Sequence, residues 1–110
     1  MTSSLPDFNR MAGYIGLAAR AGQAVTGEGA CVQAVRAGKA AVVLLDSAAS
    51  ENAVKRFTDA CAHHRVPLVR FPPEMLQKAV GKPGRMALAL VSGGLAAKVL
   101  ECAGDSVEDS

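Results

Sequence analysis

A chain of 110 residues, half of them hydrophobic, is the size of one domain and long enough to bury a core without disulfides or metals. Its formal net charge of +2 conceals an asymmetry: residues 1–100 carry all 12 Lys and Arg against six acids (+6), and residues 101–110 carry four acids and no base. Cys31, Cys61 and Cys102 are odd in number and widely spaced, which excludes a disulfide framework or zinc ribbon. The opening MTSSLPDFNRMAGYI lacks the apolar core of a signal peptide, and no run approaches the roughly 18 apolar residues of a membrane span, so a soluble, cytoplasmic protein with no membrane partner is expected.

Asp7 precedes apolar positions Phe8, Met11, Ile15 and Ala19, and Gly22 follows them, which predicts a capped amphipathic helix. Residues 23–26 leave room for a short strand. A second helix then runs through TGEGACVQAVRAGKA, residues 26–40, and ends at Gly38. AAVVLLD is a continuous apolar run of strand length, the kind buried on both faces of a sheet. From Ser50 to His64, apolar Ala53, Val54, Phe57, Ala60 and Cys61 fall on one helical face. LVRF is a short strand, and PPEMLQKAVG a helix with proline at its start and glycine at its end. MALALV predicts a buried strand, GGLAAKVLE a last helix, and the remainder a frayed acidic tail.

Strands alternating with helices through short connections predict an α/β fold, a three-layer α/β/α sandwich with a roughly four-stranded mixed sheet. One domain over residues 1–103 and a disordered acidic tail over 104–110 are expected. With only Phe8, Tyr14, Phe57 and Phe71 as aromatic residues, the core has to be closely packed Ala, Val and Leu.

The stretch TGEGACVQAVRAGKA opens on two glycines, but a dinucleotide fingerprint needs glycine where Val32 stands. A Walker loop needs Ser or Thr after its lysine, and Ala40 and Pro83 stand there instead. No nucleotide cofactor is expected, nor any other. On a helical wheel Cys31, Val32 and Val35 point inward, and Gly29, Gln33 and Arg36 share the outer side. Spacing leaves two readings open: a helix N-terminus bared to an anion, or a tight turn followed by ordinary surface residues. Ser92-Gly93-Gly94 poses the same choice. At most two of Cys61, His63 and His64 converge, where structural zinc wants about four ligands, so no metal is expected. The chain has no nucleophile elbow, no His-Glu-x-x-His and no close pair of acids in its body, which predicts a non-enzyme.

The strings LAARAGQAVTGEGACVQAVRAGKAAVVLLDSAASENAVKRF, RVPLV and AVGKPGRMALALVSGGLAAKVL resemble the bacterial YlxQ-type proteins, relatives of the L7Ae and L30e ribosomal proteins. The resemblance covers about residues 11–100. It implies the same α/β/α sandwich and RNA binding, in many members to kink-turns. On the helix side it places the RNA-facing residues at Gly27, Glu28, Gly29, Ala30, Gln33, Arg36 and Lys39. On a second turn, joined with the first into one surface, it places Val91, Ser92, Gly93 and Gly94. Tight kink-turn readers carry Asn-Glu where this chain has Gly29-Ala30, and usually Lys where it has Gln33. Ala30 has no acceptor for a guanine edge, and each lost bidentate contact removes roughly 1–3 kcal/mol of discrimination. Two functions follow: a non-enzymatic protein that binds structured RNA, kink-turn-like or ribosomal, by shape and phosphate contacts, or an interaction module for ribosome or ribonucleoprotein assembly that has lost RNA reading.

Overall fold

The computed structural model describes residues 5–104 and 107–108. Its elements follow the expected order: α1 (Phe8–Arg20), β1 (Ala24–Thr26), α2 (Glu28–Arg36), β2 (Ala40–Asp46), α3 (Glu51–His64), β3 (Leu68–Phe71), α4 (Met75–Val80), β4 (Ala87–Val91), α5 (Gly94–Ala103) and β5 (Val107–Glu108). The sheet runs β1-β4-β2-β3-β5, with β2 and β3 parallel and every other pair antiparallel.

Alternation along the strands decides the layers. Val42 and Leu44 of β2, with Leu88 and Leu90 of β4, face α1, α4 and α5, where Met11, Ile15, Leu76 and Val99 complete one core. Val43 and Leu45, with Ala87 and Ala89, face α2 and α3, where Val32, Val35, Phe57 and Cys61 complete the other. Both faces of β2 are covered, which is why its sequence is an unbroken apolar run. Ala87 and Ala89 leave little between sheet and helix on the α2 side, so α2 seats close to the strands, as a core poor in aromatic residues requires.

Two details differ from the sequence reading. The expected four strands are joined by a fifth: Val107–Glu108 pairs with Leu68 and Val69, satisfying part of an otherwise bare sheet edge. The rest of the expected tail beyond Gly104 lies outside the described residues. Helix α4 starts at Met75 rather than at the prolines. Glu74, in a left-handed conformation, ends the Pro72-Pro73 turn, and its N–H donates to Asp46 Oδ2 at 3.0 Å. Asp46 Oδ1 accepts from the N–H of Ala48 at 2.7 Å, so this fully buried carboxylate ties the loops after β2 and β3 together.

Candidate functional site

Helix α2 begins without a side-chain cap. Gly27 turns the chain out of β1 at φ 97°, ψ 140°, a conformation that L side chains rarely adopt. The first helical donor is the N–H of Cys31, which reaches Gly27 O at 2.9 Å, leaving the amides of Glu28, Gly29 and Ala30 ahead of it. Glu28, Gly29 and Ala30 are all exposed, and a Cβ at Gly29 would meet nothing within 4 Å. Helices α1 and α3 are closed instead: Asp7 accepts from Arg10 N and Ser50 Oγ from Ala53 N, both at 3.1 Å. Three bare amides at the positive end of a helix dipole attract an anion.

The wheel reading of α2 holds. Cys31, Val32 and Val35 are buried, and Gly29, Gln33 and Arg36 are exposed along one stripe. Glu28 is engaged within the protein: its carboxylate takes Arg56 Nη1 at 2.6 Å and links the start of α2 to α3. Arg36 lies about 12 Å along the helix from Glu28. It lines a cavity of about 310 Å³ between α2 and α3 with Arg56, Asp59, His63 and His64. The two imidazoles meet edge to face at 4.9 Å and both are exposed, away from the buried Cys61. Among the described residues no group of three or more His, Cys, Asp or Glu is placed to hold a metal ion.

The strand register separates what the sequence reading joined. β1 and β4 are antiparallel, with Ala24 opposite Leu90 and Thr26 opposite Leu88. Gly27 therefore emerges at the end where β4 begins, whereas Ser92, Gly93 and Gly94 follow the end where β4 stops. At about 3.3 Å per residue the two turns are roughly 20 Å apart along the sheet. Val91 donates its N–H to Gln23 O at 3.0 Å and pairs with Ala40, so Lys39 also belongs to the far end. Gly27, Glu28, Gly29 and Ala30 form one group, and Lys39 with residues 91–94 another. Adjacent sequence roles did not reveal this because both turns read as strand, glycine, helix; only the pairing direction distinguishes them.

What does stand near the start of α2 is a loop that the sequence reading weighed only as a failed phosphate motif. Residues 81–86 lead into β4 beside Thr26. Gln77 shapes this loop: its carbonyl accepts from the amides of Gly81 and Lys82 at 2.9 and 3.1 Å, and its Oε1 from Gly84 N at 2.9 Å. The loop carries Lys82 and Arg85, and Arg85 Nε is buried without a hydrogen-bond partner. Two cations in a Gly-Pro turn were the available signal.

The two buried thiols offer no nucleophile. Burial pushes Cys31 up to about 12 and Cys61 up to about 11, so both stay protonated at neutral pH. Cys31 Sγ donates to Val25 O at 3.2 Å, fastening the first turn of α2 to β1. Among the described residues, no helix is long and apolar enough to cross a membrane.

The model of the Ribosomal protein L7Ae/L30e/S12e/Gadd45 family matches residues 9–100. The chain is 34% identical over 87 residues to the RNA-binding protein YlxQ of Bacillus subtilis (strain 168), covering 78% of this chain and 87% of that protein. With the RNA-binding protein YlxQ of Enterococcus faecium it shares 36% identity over 88 residues, 79% of this chain and 84% of the relative. Among solved structures, a protein of unknown function from Bacillus halodurans superposes with a TM-score of 0.80 at 32% identity, over 84% of this chain and 95% of that one. The Giardia lamblia 15.5kD RNA binding protein has the same fold, with a TM-score of 0.78 at 18% identity over 96% and 92% of the two chains.

Proposed function

The chain belongs to the Ribosomal protein L7Ae/L30e/S12e/Gadd45 family, and from that membership we propose that it is a non-enzymatic RNA-binding protein. The RNA meets the first turn of α2. The observation that carries this reading is the register of β1 against β4, which sets the bare amides of Glu28, Gly29 and Ala30 at the same end of the sheet as Lys82 and Arg85. Amides aimed at phosphate oxygens fix the position of the backbone, and the two cations add attraction that depends on salt. Gln33 and Arg36 extend the contact along the exposed stripe of α2.

Base reading is shallow in this arrangement. Gly29 and Ala30 have no side-chain acceptor, and Glu28 is held by Arg56. Discrimination then comes from RNA shape, and structured RNA, kink-turn-like or ribosomal, is the substrate class. The curated relatives are named as RNA-binding proteins, which supports RNA as the polyanion.

The test is a fluorescence-anisotropy titration of a kink-turn RNA and of a version without its G·A pairs, each at several salt concentrations. Binding of both within about threefold, with a steep salt dependence that flattens in Lys82→Ala plus Arg85→Ala, is expected. Binding unaffected by that double variant overturns the site. Absence of RNA binding, together with protein partners that survive complete nuclease digestion, favours the assembly-module reading instead.

A further inference from the structure

A second basic surface lies around the corner from the start of α2. The end of α1, strand β1 and the end of α4 enclose an open groove of about 540 Å³ lined by Arg20, Ala24, Thr26, Lys78, Gly81 and Lys82, among others. Among the described residues, Arg20, Lys78 and Lys82 are its charged lining residues and no acid lines it. All three are exposed, and none forms an ion pair among the described residues. Cations in the last turn of a helix complement its dipole, which accounts for Arg20 and Lys78 one at a time. It does not account for two helices delivering them to one groove.

The position of the groove supplies its occupant. Thr26 lines it and is followed at once by Gly27, so the groove opens where the bare amides of α2 begin. β1 is an edge strand, with β4 on one side only, so a chain can pass over it from the α2 face of the sheet to the α1 face. Lys82 stands at the junction of the two surfaces. We propose that the groove between α1, β1 and α4 holds the sugar-phosphate backbone of the same RNA strand, continuing past the first turn of α2, with Arg20 and Lys78 each neutralising a phosphate. This rests on the RNA-binding reading above and adds to it a track across the sheet edge.

Of the acidic segment, the described residues Val107 and Glu108 lie far from this groove. Val107–Glu108 is paired to β3 at the opposite edge of the sheet, four strand spacings or roughly 19 Å from β1.

Two double variants with equal loss of charge test the proposal. Arg20→Gln plus Lys78→Gln removes the groove's cations, and Lys55→Gln plus Lys98→Gln removes two from α3 and α5. RNA affinity is measured by anisotropy between 50 and about 200 mM salt. Each phosphate contact contributes about 0.7–0.9 to the slope of log K against log salt, so the groove variant should lose about 1.5 from its slope. The control should lose less than about 0.5. A groove variant whose slope matches the control overturns the track and leaves the α2 site standing. A wild-type slope near zero overturns the RNA-binding reading and the track with it. Because every substituted residue is exposed, matching thermal unfolding of the two variants is expected, and the comparison then reports binding.

Discussion

Helices α2 and α5 start in the same way and face different surroundings. Each follows a strand, each has a glycine N-cap, Gly27 or Gly93, and neither cap makes a side-chain hydrogen bond. Beside α2 stands the loop that carries Lys82 and Arg85. Beside α5 stands Gln23, whose carbonyl already accepts from Val91 N and whose Oε1 lies 3.7 Å from a Cβ built on Gly93. A glycine-opened helix is therefore a generic anion trap. The antiparallel partner of the preceding strand decides whether cations join it.

The largest expected effect comes from placing the same charge at both helix starts. A Cβ meets nothing within 4 Å at Gly29 or at Gly94, and neither residue has a left-handed φ, so both accept a side chain. Gly29→Glu sets a carboxylate against the proposed phosphate contact and should cost about 2–3 kcal/mol of RNA affinity, a factor of roughly 30–150. Gly94→Glu should change affinity less than about twofold. A carboxylate near either N-terminus suits the helix dipole, so thermal stability should hold in both. Equal losses at the two positions would return the turns to a single surface and break the comparison.

Next comes the internal tie at the α2 end. Asp46 is the buried charged residue among those described, and it holds the amides of Ala48 and Glu74. Asp46→Ala leaves both donors without this acceptor and should destabilise the fold by about 2 kcal/mol in urea unfolding. Asp46→Asn keeps one acceptor oxygen and should lose about half as much. Hydrogen exchange should quicken first in residues 47–50 and at Glu74, ahead of the turn at residues 92–94. Uniform quickening at both ends would mean that Asp46 supports the whole sheet rather than one end of it.

The layers were legible in the sequence because burial imposes periodicity. The AAVVLLD run required cover on both faces, and the spacing of Met11 and Ile15, or of Phe57 and Cys61, required one inward helix face each. Helix α2 was read to the level of single side chains for the same reason. The candidate site was only half legible. Free amides follow from a glycine cap, a local feature, but the company they keep follows from strand direction, which Ala24–Thr26 is too short to announce. Val107–Glu108 was equally hidden: two residues in an acidic stretch join the sheet through backbone pairing with β3, to which their side chains give no pattern.

A gain-of-function change sharpens the same contrast at smaller cost. Gly29→Asn plus Ala30→Glu installs at the start of α2 the pair that the family's tight kink-turn readers carry. Both residues are exposed, and Gly29 has room for a Cβ. The double variant should prefer a kink-turn RNA over the version without G·A pairs by about 1–2 kcal/mol more than the wild type does. The preference should appear in the ratio of dissociation constants at a single salt concentration. No change in that ratio would mean that RNA does not approach these positions closely enough for base contact.

The smallest effect uses thiols as reporters of the two helices. Cys31 is sealed beneath the first turn of α2, and Cys102 is half-buried in α5. At pH 8 a thiol-labelling reagent should modify Cys102 promptly and reach Cys31 only as fast as the first turn of α2 opens. Burial raises Cys31 in the folded protein from an ordinary value of 9.0 to about 12, so its contribution to stability is complete below pH 9. As pH rises above that point the unfolded chain ionises first, and stability declines until the folded thiol titrates as well. Between pH 8 and about 9.5 this should cost under about 1 kcal/mol, and because Cys61 is raised to about 11 in the same way, Cys31→Ala should remove roughly half of the observed decline. Rapid labelling of Cys31 in the native protein would show that the turn presenting the bare amides opens on its own, and the α2 site would then be assembled by its ligand rather than preformed.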